Sequence, residues 1–132
     1  MSRVYEGGCL CGASRYVAKG APLNVRVCHC RLCQKAIGAA FNARALFSSS
    51  LVQLSGPIGR SNSSADLARG FCIRCGTTLF SERASIGALG LTLGSMDAPD
   101  AFTPTEHIWI SSKQAWVRLD DGLAQYPEGF PA

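Results

Sequence analysis

Apolar and polar positions alternate along this chain in short bursts, and turn-forming residues cut each burst off before a helical stripe can develop. Arg15-Tyr16-Val17-Ala18, Val25-Arg26-Val27, Ala40-Phe41-Asn42-Ala43 and Leu51-Val52-Gln53-Leu54 read as strands, being rich in β-branched and aromatic side chains. Thr77-Thr78-Leu79-Phe80, Leu89-Gly90-Leu91-Thr92-Leu93 and His107-Ile108-Trp109-Ile110 continue the pattern. Only Arg31 to Ile37 and Ser111 to Trp116 leave room for helix, and both are short. Gly56-Pro57, Asp97-Ala98-Pro99-Asp100 and Tyr126-Pro127-Glu128-Gly129 mark loops. The polar run Ser61-Asn62-Ser63-Ser64-Ala65-Asp66 reads as a mobile loop. The expected class is mainly β, built from short antiparallel strands.

Composition narrows this picture. Hydrophobic residues make up 47% of the 132 positions and charged residues 17%, enough apolar material for a folded core. A chain of this length is expected to form one domain over residues 1–132. No apolar run approaches the roughly 18 residues of a membrane span, and the start has no signal-peptide character, so a cytoplasmic protein with no membrane partner is expected. In a reducing compartment seven cysteines do not suggest a disulfide framework, and an odd number cannot all pair within the chain. Metal ligation is the better use for them.

The cysteines fall into three groups, Cys9-Leu10-Cys11, Cys28-His29-Cys30-Arg31-Leu32-Cys33 and Cys72-Ile73-Arg74-Cys75. A Cys-x-x-Cys turn lets two sulfurs point at one ion, and a following glycine relieves the turn. Cys75-Gly76 and Cys11-Gly12 both carry that glycine, so these pairs read as halves of one Cys₄ site that ties distant segments together. Cys28, Cys30 and Cys33 remain as a trio with no fourth cysteine, the pattern of a metal that keeps one exchangeable position. A rival partition would give the trio a fourth ligand from Cys9 or Cys11. Zinc, two per chain, is the expected cofactor, ahead of an iron–sulfur cluster. Seven thiolates and two divalent ions would bring the formal +4 charge close to neutrality, which weakens any case for nucleic acid.

Three thiolates overcompensate a divalent ion, so water bound there would be a poor acid and hydrolysis is disfavoured. The same softness favours a substrate sulfur, held as a thiolate that can attack an aldehyde carbon. The expected partners are a small thiol and an aldehyde. A thiol carrier without turnover, or a structural zinc module, is the alternative.

These residues resemble the glutathione-dependent formaldehyde-activating (GFA) family of small zinc proteins with an Mss4-like β fold. The resemblance rests on Gly7-Gly8-Cys9-Leu10-Cys11-Gly12, the Cys28–Cys33 trio, Phe71-Cys72-Ile73-Arg74-Cys75-Gly76-Thr77-Thr78-Leu79 and Pro104-Thr105-Glu106-His107-Ile108-Trp109. It implies a structural zinc on Cys9, Cys11, Cys72 and Cys75 and a catalytic zinc on Cys28, Cys30 and Cys33. It also implies carbon–sulfur lyase activity that forms or cleaves S-(hydroxymethyl)glutathione.

Other residues carry weaker expectations. Arg26, Arg31, Lys35, Arg69 and Arg74 lie near the cysteines in sequence, where cations would offset thiolate charge. Arg44, Arg60 and Lys113 are candidate carboxylate anchors, although a surface role is expected for each. His29 is expected to point away from the metal, His107 to be a packed histidine, and Trp109 and Trp116 to belong to the core.

Overall fold

The computed structural model describes residues 3–131. Eleven strands and one helix follow one another as β1 (Val4–Gly8), β2 (Arg15–Lys19), β3 (Asn24–Cys28), α1 (Arg31–Ile37), β4 (Asn42–Ser48), β5 (Val52–Ser55), β6 (Ile58–Ser64), β7 (Leu67–Cys72), β8 (Thr78–Arg83), β9 (Ala88–Thr92), β10 (Glu106–Ile108) and β11 (Ala124–Gln125). A three-stranded sheet has the order β1-β2-β5, and an eight-stranded sheet the order β11-β10-β3-β4-β9-β8-β7-β6. Every pairing is antiparallel except those of β10 with β3 and β11, so the mainly β class is the observed one.

The large sheet sorts its side chains by register. Opposed residues share a face, so Phe47 with Leu89, Ala45 with Leu91 and Phe80 with Leu91 form one buried apolar layer. Tyr16 and Ala18 of β2 and the flanking Leu93 and Met96 close that core. Burying one such large side chain contributes about 1.5–3 kcal/mol, and Phe47→Ala would cost about 3–5 kcal/mol. The opposite face carries a row that crosses five strands, Asn24, Leu46, Gly90, Ser81 and Arg69. This mixed face lines a cavity rather than a core.

Four expectations need correction. Ser61–Asp66 is no loop: Ser61 to Ser64 belong to β6, which pairs with β7 through a tight turn at Ala65 and Asp66. Its polar residues suit it to the edge of a sheet, where outward charge or polarity is tolerated and useful. The strand expected at Ala40–Ala43 begins at Asn42 and runs to Ser48, and Ser111–Trp116 forms only a single 3₁₀ turn at Ile110–Ser112. Neither tryptophan is core. Trp116 is 70% exposed, and its indole N–H satisfies itself on Gln114 Oε1 at 2.6 Å. Trp109 is half-buried and has φ 59°, a left-handed conformation that ends β10 and costs on the order of 1–3 kcal/mol in a non-glycine residue. Among the described residues no helix is long and apolar enough to cross a membrane.

Candidate metal centres and cavity

Four cysteines from two turns meet at one place. Cys9 and Cys11 follow β1, Cys72 ends β7, and Cys75 leads into β8. Their sulfurs lie within 4.8 Å of one another, with Cys9 to Cys11 at 3.6 Å and Cys11 to Cys72 at 3.8 Å. Metal–sulfur bonds of about 2.3 Å in a tetrahedron set sulfurs about 3.8 Å apart, so the donor set fits a zinc-like ion. Backbone N–H groups point at the sulfurs, from Ser14 to Cys9 at 3.2 Å and from Arg74 to Cys72 at 3.4 Å. Gly12 and Gly76 take φ 82° and 83° at the turn each pair requires, which only glycine adopts without strain. Leu10 N–H donates to Thr77 Oγ1 at 3.1 Å, tying one knuckle to the other. The Thr77 hydroxyl and backbone N–H also hold the Cys75 thiol down to about 5.

The trio is assembled locally. Cys28 closes β3, Cys30 caps α1, and Cys33 lies in its first turn, where its N–H donates to Cys30 Sγ at 3.3 Å. The three sulfurs also lie within 4.8 Å of one another, and Cys28 and Cys33 are buried. Arg69 reaches in from β7 with both terminal nitrogens 3.6 and 3.5 Å from Cys33 Sγ, while its Nε donates to Ser63 Oγ at 3.0 Å. Hydrogen bonds from the Cys28 and Cys30 thiols, helped by the Arg69 charge, pull the Cys33 thiol down to about 2 against the opposing effect of burial. Hydrogen bonding to Cys30 and Cys33, with burial, drives Cys28 upward. Three soft donors that resist ionising together are what a divalent cation would relieve, and the trio fits a metal that retains an open position.

No histidine joins either cluster. His29 is fully buried and donates Nε2–H to His107 Nδ1 at 2.9 Å, and His107 in turn donates Nε2–H to Asp121 Oδ2 at 2.7 Å. That is the one set of tautomers that satisfies both bonds. Burial lowers His29 to about 4, with unfavourable electrostatics from the His107 ring and Lys113 adding to it, so His29 is neutral near pH 7. The expected orientation of His29 and the packed role of His107 are both observed.

Beside the trio opens a cavity of about 610 Å³ lined by Cys28, Cys30 and Cys33. Five arginines, Arg26, Arg31, Arg44, Arg69 and Arg83, line it, and among the described residues no carboxylate does. Leu32, Leu46, Leu67, Ile86, Ile108 and Trp109 supply apolar wall. Arg26 pairs with Glu106 at 2.5 Å and stacks over Phe130 at 4.1 Å, and Arg83 approaches Asp66 at 3.6 Å. Arg31 donates to Gln34 Oε1 at 2.5 Å. Of the other cations weighed, Arg60 pairs with Glu82 on the surface, and Lys113 Nζ donates to Val117 O at 2.7 Å. Lys35 lies outside this cavity, and Arg74 serves the Cys₄ cluster through its backbone. Sequence reading underrated Arg44 and Trp109; the period-two spacing of Arg26 and Cys28, and of Asn42, Arg44 and Leu46, is the signal that puts them on one face.

Residues 4–112 match the family model described as "Glutathione-dependent formaldehyde-activating enzyme". A Schizosaccharomyces pombe protein described as an uncharacterized lyase is 34% identical over 76 residues, 58% of this chain and 56% of that protein. The match thus spans little more than half the relative's length. A crystal structure of a Rhodobacter sphaeroides protein superposes with a TM-score of 0.60 at 18% identity, covering 92% of this chain and 98% of that one, which shows a shared fold. With the match extending over most of the chain, and with both cysteine clusters inside it, this protein belongs to the glutathione-dependent formaldehyde-activating enzyme family.

Proposed function

We propose that this protein is a zinc-dependent carbon–sulfur lyase that joins a small thiol of the glutathione type reversibly to an aldehyde such as formaldehyde. The observation that carries the reading is a three-cysteine cluster opening onto a cavity lined by five arginines and, among the described residues, by no carboxylate. Cys28, Cys30 and Cys33 would hold the catalytic ion, and Cys9, Cys11, Cys72 and Cys75 a structural one. Zinc on the trio would supply a site that takes the substrate sulfur as its thiolate.

The chain's own groups do the rest. Arg69 offsets the excess negative charge of three thiolates at Cys33, and the remaining arginines draw in an anionic substrate. The apolar wall limits water at the reacting sulfur. In the reaction the thiol sulfur forms a bond to the aldehyde carbon, the carbonyl π pair moves to oxygen, and the thiol proton ends on that oxygen as a hydroxyl. The reverse step breaks the carbon–sulfur bond. Arginine N–H groups facing the cavity are the donors available to the developing alkoxide.

Exchange NMR on glutathione and formaldehyde, read against the spontaneous rate without protein, tests this. The protein should speed exchange at least tenfold, and Cys30→Ser should remove the effect. Thiol binding with no acceleration would leave a carrier and overturn the lyase reading.

A further inference from the structure

We propose that Arg44, with Ser81 and Arg83 beside it on the same face, forms a carboxylate subsite in the cavity that the cysteine trio opens onto, reading an acid group on the molecule whose thiol the trio receives. The inference deepens the lyase reading and rests on it for the identity of the thiol end.

The five cavity arginines are not equivalent. Arg26 has Glu106, Arg69 has the Cys33 sulfur, and Arg83 has Asp66 at its outer side. Arg31 is exposed at the rim. Arg44 is half-buried, and among the described residues its hydrogen-bond partner is a neutral amide oxygen, Asn24 Oδ1 at 2.8 Å. Arg44 makes no ion pair of its own among the described residues: Glu106 and the trio cysteines act on it only at longer range, and burial disfavours its charge. An incoming carboxylate would satisfy the unused N–H groups in the fork geometry that suits guanidinium.

The sheet makes room for this arrangement. Arg44 lies opposite Arg26 on the neighbouring strand, and Arg26 is two residues along β3 from Cys28, so Arg44 stands about 7 Å along the strands and about 5 Å across them from Cys28 at the backbone. A small molecule with a carboxylate a few bonds from its sulfur is the right size to span that separation. Gly90 lies beneath: a Cβ there would stand 2.9 Å from Arg44 Cδ and 3.2 Å from Ser81 Oγ. The absent side chain is what lets the Arg44 stem cross the centre of the sheet face. Asn24 fixes the guanidinium from the β3 side, and Ser81, paired with Gly90, adds a hydroxyl from β8.

Calorimetric titration of the metal-loaded protein tests the subsite with three probes, glutathione, S-methylglutathione and 2-mercaptoethanol. S-methylglutathione keeps the carboxylates but has no free thiol, and 2-mercaptoethanol has the reverse. Arg44→Gln should weaken the two carboxylate probes at least tenfold and leave 2-mercaptoethanol unchanged. Gly90→Ala, which keeps the charge but displaces it, should weaken the same two probes, and Arg44→Lys should fall between. Equal loss for 2-mercaptoethanol, no loss for S-methylglutathione, or no binding of S-methylglutathione to the parent protein would overturn the subsite. If S-methylglutathione binds through Arg44 while no free thiol perturbs a cobalt-loaded trio, the subsite stands and the thiol-lyase reading falls.

Discussion

The two cysteine clusters offer a chain the same ligand atom in two different settings. Cys9, Cys11, Cys72 and Cys75 are brought together across 61 residues of sequence by two turns, and Cys11 and Cys75 are exposed. Their sulfurs are addressed by backbone N–H groups and one threonine, and nothing in the arrangement calls for a fifth partner. Cys28, Cys30 and Cys33 lie within one strand end and one helix turn, are mostly buried, and face a cationic cavity. A site that joins distant segments stabilises the folded chain, whereas a site made within six consecutive residues adds little to tertiary structure and is free to exchange a ligand.

The strongest test of that contrast is to break each cluster once. Cys72→Ser should lower the thermal midpoint by roughly 15 °C or more, since loss of a structural metal removes several kcal/mol from a domain of this size. Cys30→Ser should shift the midpoint by roughly 5 °C at most while abolishing metal binding at the trio. Equal losses measured by calorimetry would mean that both clusters hold the fold, and that the division of roles is wrong.

Metal removal should separate the same two sites without mutation. Elemental analysis should approach two zinc per chain, and a chelator should remove one ion first. The far-ultraviolet dichroism should survive that first loss and collapse only with the second. A single ion, or two lost together with the fold, would remove the distinction between an exchangeable and a structural site.

Arg69 marks a finer difference, because no guanidinium touches a sulfur of the Cys₄ cluster among the described contacts. A group that hydrogen-bonds a ligand typically accounts for tenfold to hundredfold in metal affinity. Arg69→Gln should therefore weaken the trio's ion by about tenfold in chelator competition, leaving the Cys₄ ion unaffected. Unchanged affinity would make the 3.5 and 3.6 Å contacts incidental.

How much of this was legible beforehand follows from range. The cysteine partition could be read because each pair or trio is local, and the glycines after Cys11 and Cys75 report the turn directly. The strands through Tyr16, Val27 and Leu91 could be read for the same reason. The cavity could not, since its lining is a register row drawn from strands far apart in sequence, and Arg44 alone looks like any surface cation. Trp109 looked like core because its left-handed backbone is imposed by the segment around Tyr126 to Glu128, which hydrogen-bonds residues 109 to 111. Ser61 to Asp66 looked like a loop because a polar edge strand has no apolar alternation to announce it.

That misread strand carries the smallest and most specific prediction. Ser63 sits on β6, and its Oγ accepts from Arg69 Nε at 3.0 Å, holding the guanidinium while its other two nitrogens face Cys33. Removing the hydroxyl leaves the charge in place and loosens only its aim. Ser63 is half-buried, so water can replace part of the lost bond, and the net worth of such a hydrogen bond is about 0.5–1.5 kcal/mol. Ser63→Ala should therefore weaken the trio's ion by only about two- to fivefold, well short of Arg69→Gln, with no change at the Cys₄ cluster. In the Arg69→Gln background the same substitution should add nothing, because the serine acts through the arginine. An equal further loss in that background, measured by the same competition, would show that Ser63 steadies β6 itself and has no part in setting Cys33 apart from the cysteines of the four-sulfur cluster.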